Sequence, residues 1–191
     1  IVTRKKVTVQ YYGSGGNGLW EHYAVQLKYP KLGIEINLSE HLSSPNISMG
    51  RILINGDVVI QESYWQKEFG VTDPQSTQHQ VEFAIQLLRQ KPNEKVFLFM
   101  NLSALHQPNC HYLEGATTDS LASHAAALRY IDSQLRPLFA ELNLLNDTFV
   151  ILSSDHGTTY GEDGYTGHRL AHEKVWTIPY ADFHLPQGRL L

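Results

Sequence analysis

Two short apolar runs on either side of one long amphipathic stretch constrain what this chain can fold into. From Lys95 it reads Val-Phe-Leu-Phe-Met-Asn-Leu, and Thr148 to Ser153 forms a second apolar run of strand length. Continuous apolar runs of this size suit strands buried on both faces, as in parallel sheets. Between them Leu121, Ala125, Leu128, Ile131, Leu135, Leu138 and Leu142 recur at helical spacing, which predicts an amphipathic helix from about Ser120 to Leu142. Pro137 is expected to kink or split it. Strand, helix, strand is a parallel crossover unit, and in open α/β sheets ligands gather outside the carboxyl ends of the strands. The expected fold class is therefore α/β with a mainly parallel sheet, and the loops after the two runs should share one rim.

The remaining segments say less. Thr77 followed by Gln80 looks like a capping box, and Val81, Ala84, Ile85 and Leu88 continue at helical spacing, predicting a helix over 77–90. Residues 1–60 read as β-prone pieces, Val7 to Tyr12 and Arg51 to Ile60, around a glycine-rich run at Gly13 to Gly18. Those glycines match neither the dinucleotide nor the P-loop spacing, so they read as a flexible turn. Trp176 to Phe183 is a further strand, and Pro179 assigns it to a sheet edge or a bulge.

With 191 residues the chain holds one domain at most, and a formal charge of -4 with scattered Lys and Arg excludes a nucleic-acid footprint. The apolar runs are too short to span a bilayer, so no membrane partner is expected. The one cysteine, Cys110, excludes an internal disulfide framework and fits a reducing, cytoplasmic setting. As a nucleophile it ranks below the plainer role of a small buried hydrophobe.

Histidines concentrate in the two loops that follow the apolar runs: His106 and His111 in the first, His156, His168 and His172 in the second. The others, His22, His41, His79, His124 and His184, read as structural or exposed. Asp155 and His156 are adjacent, and both can reach one ion only where the backbone turns past a strand end; Gly157 is expected to supply that turn. A carboxylate beside an imidazole suits Zn or Mn better than Ca. A catalytic ion needs about three protein ligands, and His168 is the next candidate because Gly161, Gly164 and Gly167 let the loop fold back. His106 and His111 could bind a second ion, or donate hydrogen bonds to the non-bridging oxygens of an anionic ester.

These residues carry a resemblance. Ala122 to Gly157, with Tyr130-Ile131-Asp132, Asp147-Thr148-Phe149-Val150 and Ser154-Asp155-His156-Gly157, resembles the helix, strand and metal loop of sulfatases and their relatives in the alkaline phosphatase superfamily. The spacing from Asp155-His156-Gly157 through Gly161-Glu162 and Gly164 to His168 is similar to the metal loop of lipid A phosphoethanolamine transferases, and His106-Gln107-Pro108 is similar to the sulfatase His-x-Pro. The likeness runs from about Glu62 to Leu185 and is nearest to a branch of sulfatase-like bacterial hydrolases. It implies an alkaline-phosphatase-like three-layer sandwich, here in part, with Asp155, His156 and His168 as metal ligands. It also implies His106, His111 and His168 as substrate contacts.

Residues 1–60 offer no Asp-Thr or Asp-Asp strand ending and no Cys-x-Pro-x-Arg run, so no nucleophile is assigned. Residues 61–191 read as the carboxy-terminal part of a sulfatase-like hydrolase domain, cut from a longer frame or diverged. The expected function is metal-dependent hydrolysis of small phosphate or sulfate esters. The alternative is a non-catalytic metal- or anion-binding module derived from such an enzyme.

Overall fold

A computed structural model of the chain describes residues 25–29, 34–38, 47–52 and 58–188. The expected strand over 7–12, the glycine-rich run, His22 and His41 lie outside the described residues. The elements in order are β1 (Val25–Tyr29), β2 (Ile34–Leu38), β3 (Ile47–Ile52), β4 (Val58–Tyr64), α1 (Ser76–Arg89), β5 (Val96–Met100), α2 (Leu121–Leu145), β6 (Thr148–Ser153), β7 (Thr159–Tyr160), β8 (Thr166–Gly167), α3 (Glu173–Trp176) and β9 (Tyr180–Leu185). The fold is mixed α/β. The piece expected at 51–60 is divided between β3 and β4.

The sheets differ from the parallel expectation. Every described ladder is antiparallel: β1 with β2, β3 between β4 and β5, β6 with β9, and β7 with β8. The two apolar strands that were expected to be parallel neighbours, β5 and β6, thus lie in different ladders, one beside β3 and the other beside β9. Burial differs as well. The β5 residues are all half-buried, and in β6 only Val150 is buried while Phe149 and Leu152 are exposed. Apolar content signalled that these segments are strands, but partner and direction depend on which remote strand reaches each edge.

The core lies between the helices and the β3–β5 sheet. Phe69, Val81, Ala84, Leu87 and Leu88 from α1 and its approach meet Ile131, Leu135 and Leu138 of α2, together with Ile47 and Ala104. In α1 the expected capping box does not form. Its N-cap is Gln75, while Thr77 and Gln80 are fully buried, with Gln80 Nε2 donating to the carbonyls of Phe69 (3.2 Å) and Asn101 (3.0 Å). The first turn is pressed into the core, so the Gln80 amide serves neighbouring chain segments instead of its own helix end.

The longer helix, α2, begins with a genuine capping box. Ser123 N–H donates to Ser120 Oγ at 3.1 Å and Ser120 N–H to Ser123 Oγ at 2.8 Å. It runs unbroken through Pro137. Its buried stripe is Ser123, Ala126, Ala127, Ile131, Leu135 and Leu138, whereas Leu121 and Leu128 are 64% and 53% exposed. At 100° per residue the 127–131–135–138 row carries the inner face, and Leu121 and Leu128 stand off it. The end of α2 is tied to the end of β9: Gln187 Nε2 donates to the carbonyls of Leu144 and Leu145, and Asn143 Nδ2 to that of Pro186. Pro179 sits just before β9, where its missing N–H costs no ladder bond.

Candidate functional site

β5 and β6 each release a loop that carries histidine. After β5 the chain turns through Ser103–Leu105, anchored by Ser103 Oγ donating to the Phe69 carbonyl at 2.8 Å, and presents His106. After β6 come Ser154, Asp155, His156 and Gly157. Gly157 does not act as a left-handed turn. Its N–H donates to the Val175 carbonyl at 2.8 Å, and a Cβ there would lie 1.9 Å from the Lys174 carbonyl oxygen. The glycine is needed because α3 crosses against this backbone.

The β7–β8 hairpin then returns the chain. Thr159 pairs with Gly167 and Tyr160 with Thr166, and Gly161 (φ 118°), Gly164 (φ 81°) and Gly167 (φ 100°) adopt angles that favour glycine. Glu162 stabilises the turn by accepting from Tyr160 N–H at 2.6 Å, a bond that holds its carboxyl below the usual range.

The hairpin lays His168 on His156, with ring centroids 4.4 Å apart and planes 19° from parallel. His106 arrives from the other loop, 5.9 Å from His168 in an edge-on arrangement. Three expected site residues therefore meet in one cluster. Asp155 Oδ2 lies 3.7 Å from His156 Nε2, and the carboxylate is 82% exposed. Burial lowers the pKa of His168 first, and the neighbouring His156, His106 and Arg169 lower it further against a smaller opposing effect of Asp155. An imidazole kept neutral offers a lone pair, which suits a ligand better than a cationic donor.

The two outer rings are oriented by main-chain carbonyls. His106 Nδ1 lies 2.6 Å from the Gln107 oxygen and His156 Nδ1 2.8 Å from the Gly157 oxygen. A carbonyl can only accept, so each Nδ1 carries the proton and each Nε2 keeps its lone pair. This is how metal-ligating histidines are commonly held. The Asp155 to His156 separation is also no more than the sum of two metal–ligand bonds of about 2 Å each. The donor types are those of metal ligands, but among the described residues no three His, Cys, Asp or Glu side chains converge closely enough to hold an ion.

The remaining candidates are placed elsewhere. His111 is exposed and makes its ring contact with Tyr112, at 4.2 Å. His172 caps α3, its Nδ1 accepting from Lys174 N–H at 3.1 Å, so its Nε2–H faces Asp163 Oδ2 at 3.1 Å. Cys110 is half-buried. His124 is a structural residue: its Nδ1 lies 2.9 Å from the Tyr160 hydroxyl, and burial lowers its pKa.

Four residues that sequence reasoning missed stand behind the cluster. Asn109 is fully buried, and its amide Nδ2 donates to the Leu105 carbonyl (3.2 Å) and the Tyr160 hydroxyl (2.8 Å), while its Oδ1 accepts from Ser123 Oγ (2.6 Å). Asp119 Oδ1 accepts the N–H groups of Asn109 (2.6 Å) and Cys110 (2.8 Å). Only the Ser120–Ser123 cap had a local signature; the bonds that join Asp119, Ser123 and Tyr160 to the Asn109–Cys110 segment span 9 to 51 residues of chain.

The structure is thus a mixed α/β domain with a carboxylate and three clustered imidazoles on the loops after two of its strands. More specifically, the chain belongs to the sulfatase family, whose profile matches residues 4–182. The match begins well before the region that carries the motifs. Neither a curated protein nor a solved structure matches the chain. No described helix is long and apolar enough to cross a membrane.

Proposed function

We propose that this chain serves a metal-dependent hydrolase of small phosphate or sulfate esters. The observation that carries the reading is the cluster of His106, His156 and His168, contributed by two loops that the β7–β8 hairpin folds together. Family membership supports hydrolase chemistry, and enzymes of this family generally use divalent metals.

In this reading Asp155, His156 and His168 hold the ion, Zn or Mn in preference to Ca. Bound there, a divalent ion would supply positive charge to polarise the ester and offset charge developing on its oxygens. His106 binds and orients the ester; His111, whose ring lies against Tyr112, is kept as a second contact by the family resemblance alone. The Gln107 carbonyl holds the His106 ring by Nδ1 and leaves Nε2 free to face the ester. The nucleophile is not assigned. The parallel three-layer sandwich belongs to the same reading and rests on the family, since the described ladders are antiparallel.

Zinc and manganese titration of the protein, alongside turnover of chromogenic phosphate and sulfate esters, tests the proposal. Metal binding that is weakened more than tenfold by Asp155→Ala and by His156→Ala, together with ester turnover, is expected. Metal bound without turnover would favour the binding module instead, and metal content indifferent to Asp155→Ala would remove the metal site altogether.

A further inference from the structure

The network behind the cluster links both histidine loops through one hydroxyl. Tyr160 belongs to the hairpin that delivers His168, whereas Asn109 belongs to the loop that presents His106. Bond directions follow from chemistry. The Asn109 Nδ2 can only donate, so the Tyr160 oxygen accepts from it, and the tyrosine's own proton passes onward to His124 Nδ1 at 2.9 Å. Asn109 is in turn locked on its other side by Ser123 Oγ, inside the capping box of α2, and its backbone by Asp119. The hairpin, the first histidine loop and the start of α2 therefore share a continuous, largely half-buried set of hydrogen bonds.

We infer that Tyr160 is a positioning residue for this site, its hydroxyl holding the His106 loop and the His168 hairpin at a fixed separation. The surroundings support this. Asn109, Ser123 and Thr159 are fully buried, and Thr159 Oγ1 donates to the Gly167 carbonyl at 2.9 Å, so the residue before Tyr160 is pinned to the one before His168. Burial raises the pKa of Tyr160, which keeps the hydroxyl protonated and able to act as donor and acceptor together. Burial also lowers that of His124, which keeps Nδ1 available as the acceptor. Without the hydroxyl, a buried amide donor and an imidazole acceptor both lose their partner, and each loop is freed from the other.

The metal arm of the following test rests on the function proposed above, and the exchange arm does not. Tyr160→Phe removes one oxygen and keeps the ring. In the full chain it is expected to raise amide hydrogen exchange at least tenfold over residues 106–111 and 158–168. Zinc affinity, measured by chelator competition well below the unfolding temperature, is expected to fall about ten- to a hundredfold, as when a group orienting a metal ligand is removed. His124→Gln retains an acceptor and is expected to stay close to wild type in both readouts. Unchanged exchange in the two loops of Tyr160→Phe overturns the inference whether or not zinc binds. If exchange rises but the wild-type protein takes up no zinc, the positioning role stands and the metal reading fails. Should Tyr160→Phe not fold, Asn109→Ala, which keeps the tyrosine and removes its partner on the other loop, carries the same exchange test with the same two outcomes.

Discussion

At Gly157 the requirement is for space. A methyl group placed there would overlap the Lys174 carbonyl, so Gly157→Ala must push α3 away from the strand end that bears Asp155 and His156. The expected cost is about 1–3 kcal/mol, in the range of overpacked interiors, and thermal unfolding measures it. Protonation gives a second residue-scale outcome. His124 and His168 both have pKa values lowered from the ordinary 6.5, chiefly by burial. The unfolded chain therefore binds these protons more readily. Their contribution to stability is complete above about pH 6.5 and is lost as pH falls through the lower folded values. Urea midpoints measured between about pH 8 and pH 5 should drop, and His124→Gln should flatten the slope; a midpoint that rises toward acid would contradict it.

Among the elements, α2 was the most readable, since its approximate length, its start near Ser120 and the Ile131, Leu135 and Leu138 part of its inner face follow from periodicity. Pro137 does not split α2, because packing of Leu135 and Leu138 into the core holds the helix continuous through a residue that removes a backbone donor. Pro137 is exposed, so Pro137→Ala should restore that bond and raise the melting temperature, by up to about 3 kcal/mol in stability. A fall would mean that the proline is needed where it stands. Helices α1 and α2 are also joined by a two-pronged ion pair, Arg89 Nε and Nη2 to the two oxygens of Glu141 at 2.9 and 2.7 Å. The bond to Arg89 holds the Glu141 carboxyl below its usual range, so its contribution is present above the ordinary value of 4.5 and disappears as pH falls through the lower folded one. Glu141→Gln should lower the melting temperature at neutral pH and narrow its difference from wild type in acid.

For the whole molecule, the contacts between the two helices and the β3–β5 sheet decide whether the histidine loops have a platform. Leu138 is 4% exposed at the centre of that cluster, and Leu138→Ala should cost about 2–5 kcal/mol in denaturant unfolding. A cost near zero would mean that the platform is held elsewhere. Local pattern was enough to identify the strands at 96–100 and 148–153, the helix between them, and the residue types that gather at their ends. Spacing by glycine also signalled that His168 returns toward His156, because a chain with glycines at 161, 164 and 167 can reverse in few residues. Strand partners were not legible, since an apolar run states that a segment is covered without stating by what or in which direction. Nor were Asn109, Asp119 and Tyr160 legible as one network. Their bonds join residues distant in the chain, and a polar side chain acquires such partners only when the packed helices and loops remove it from water and leave it no others.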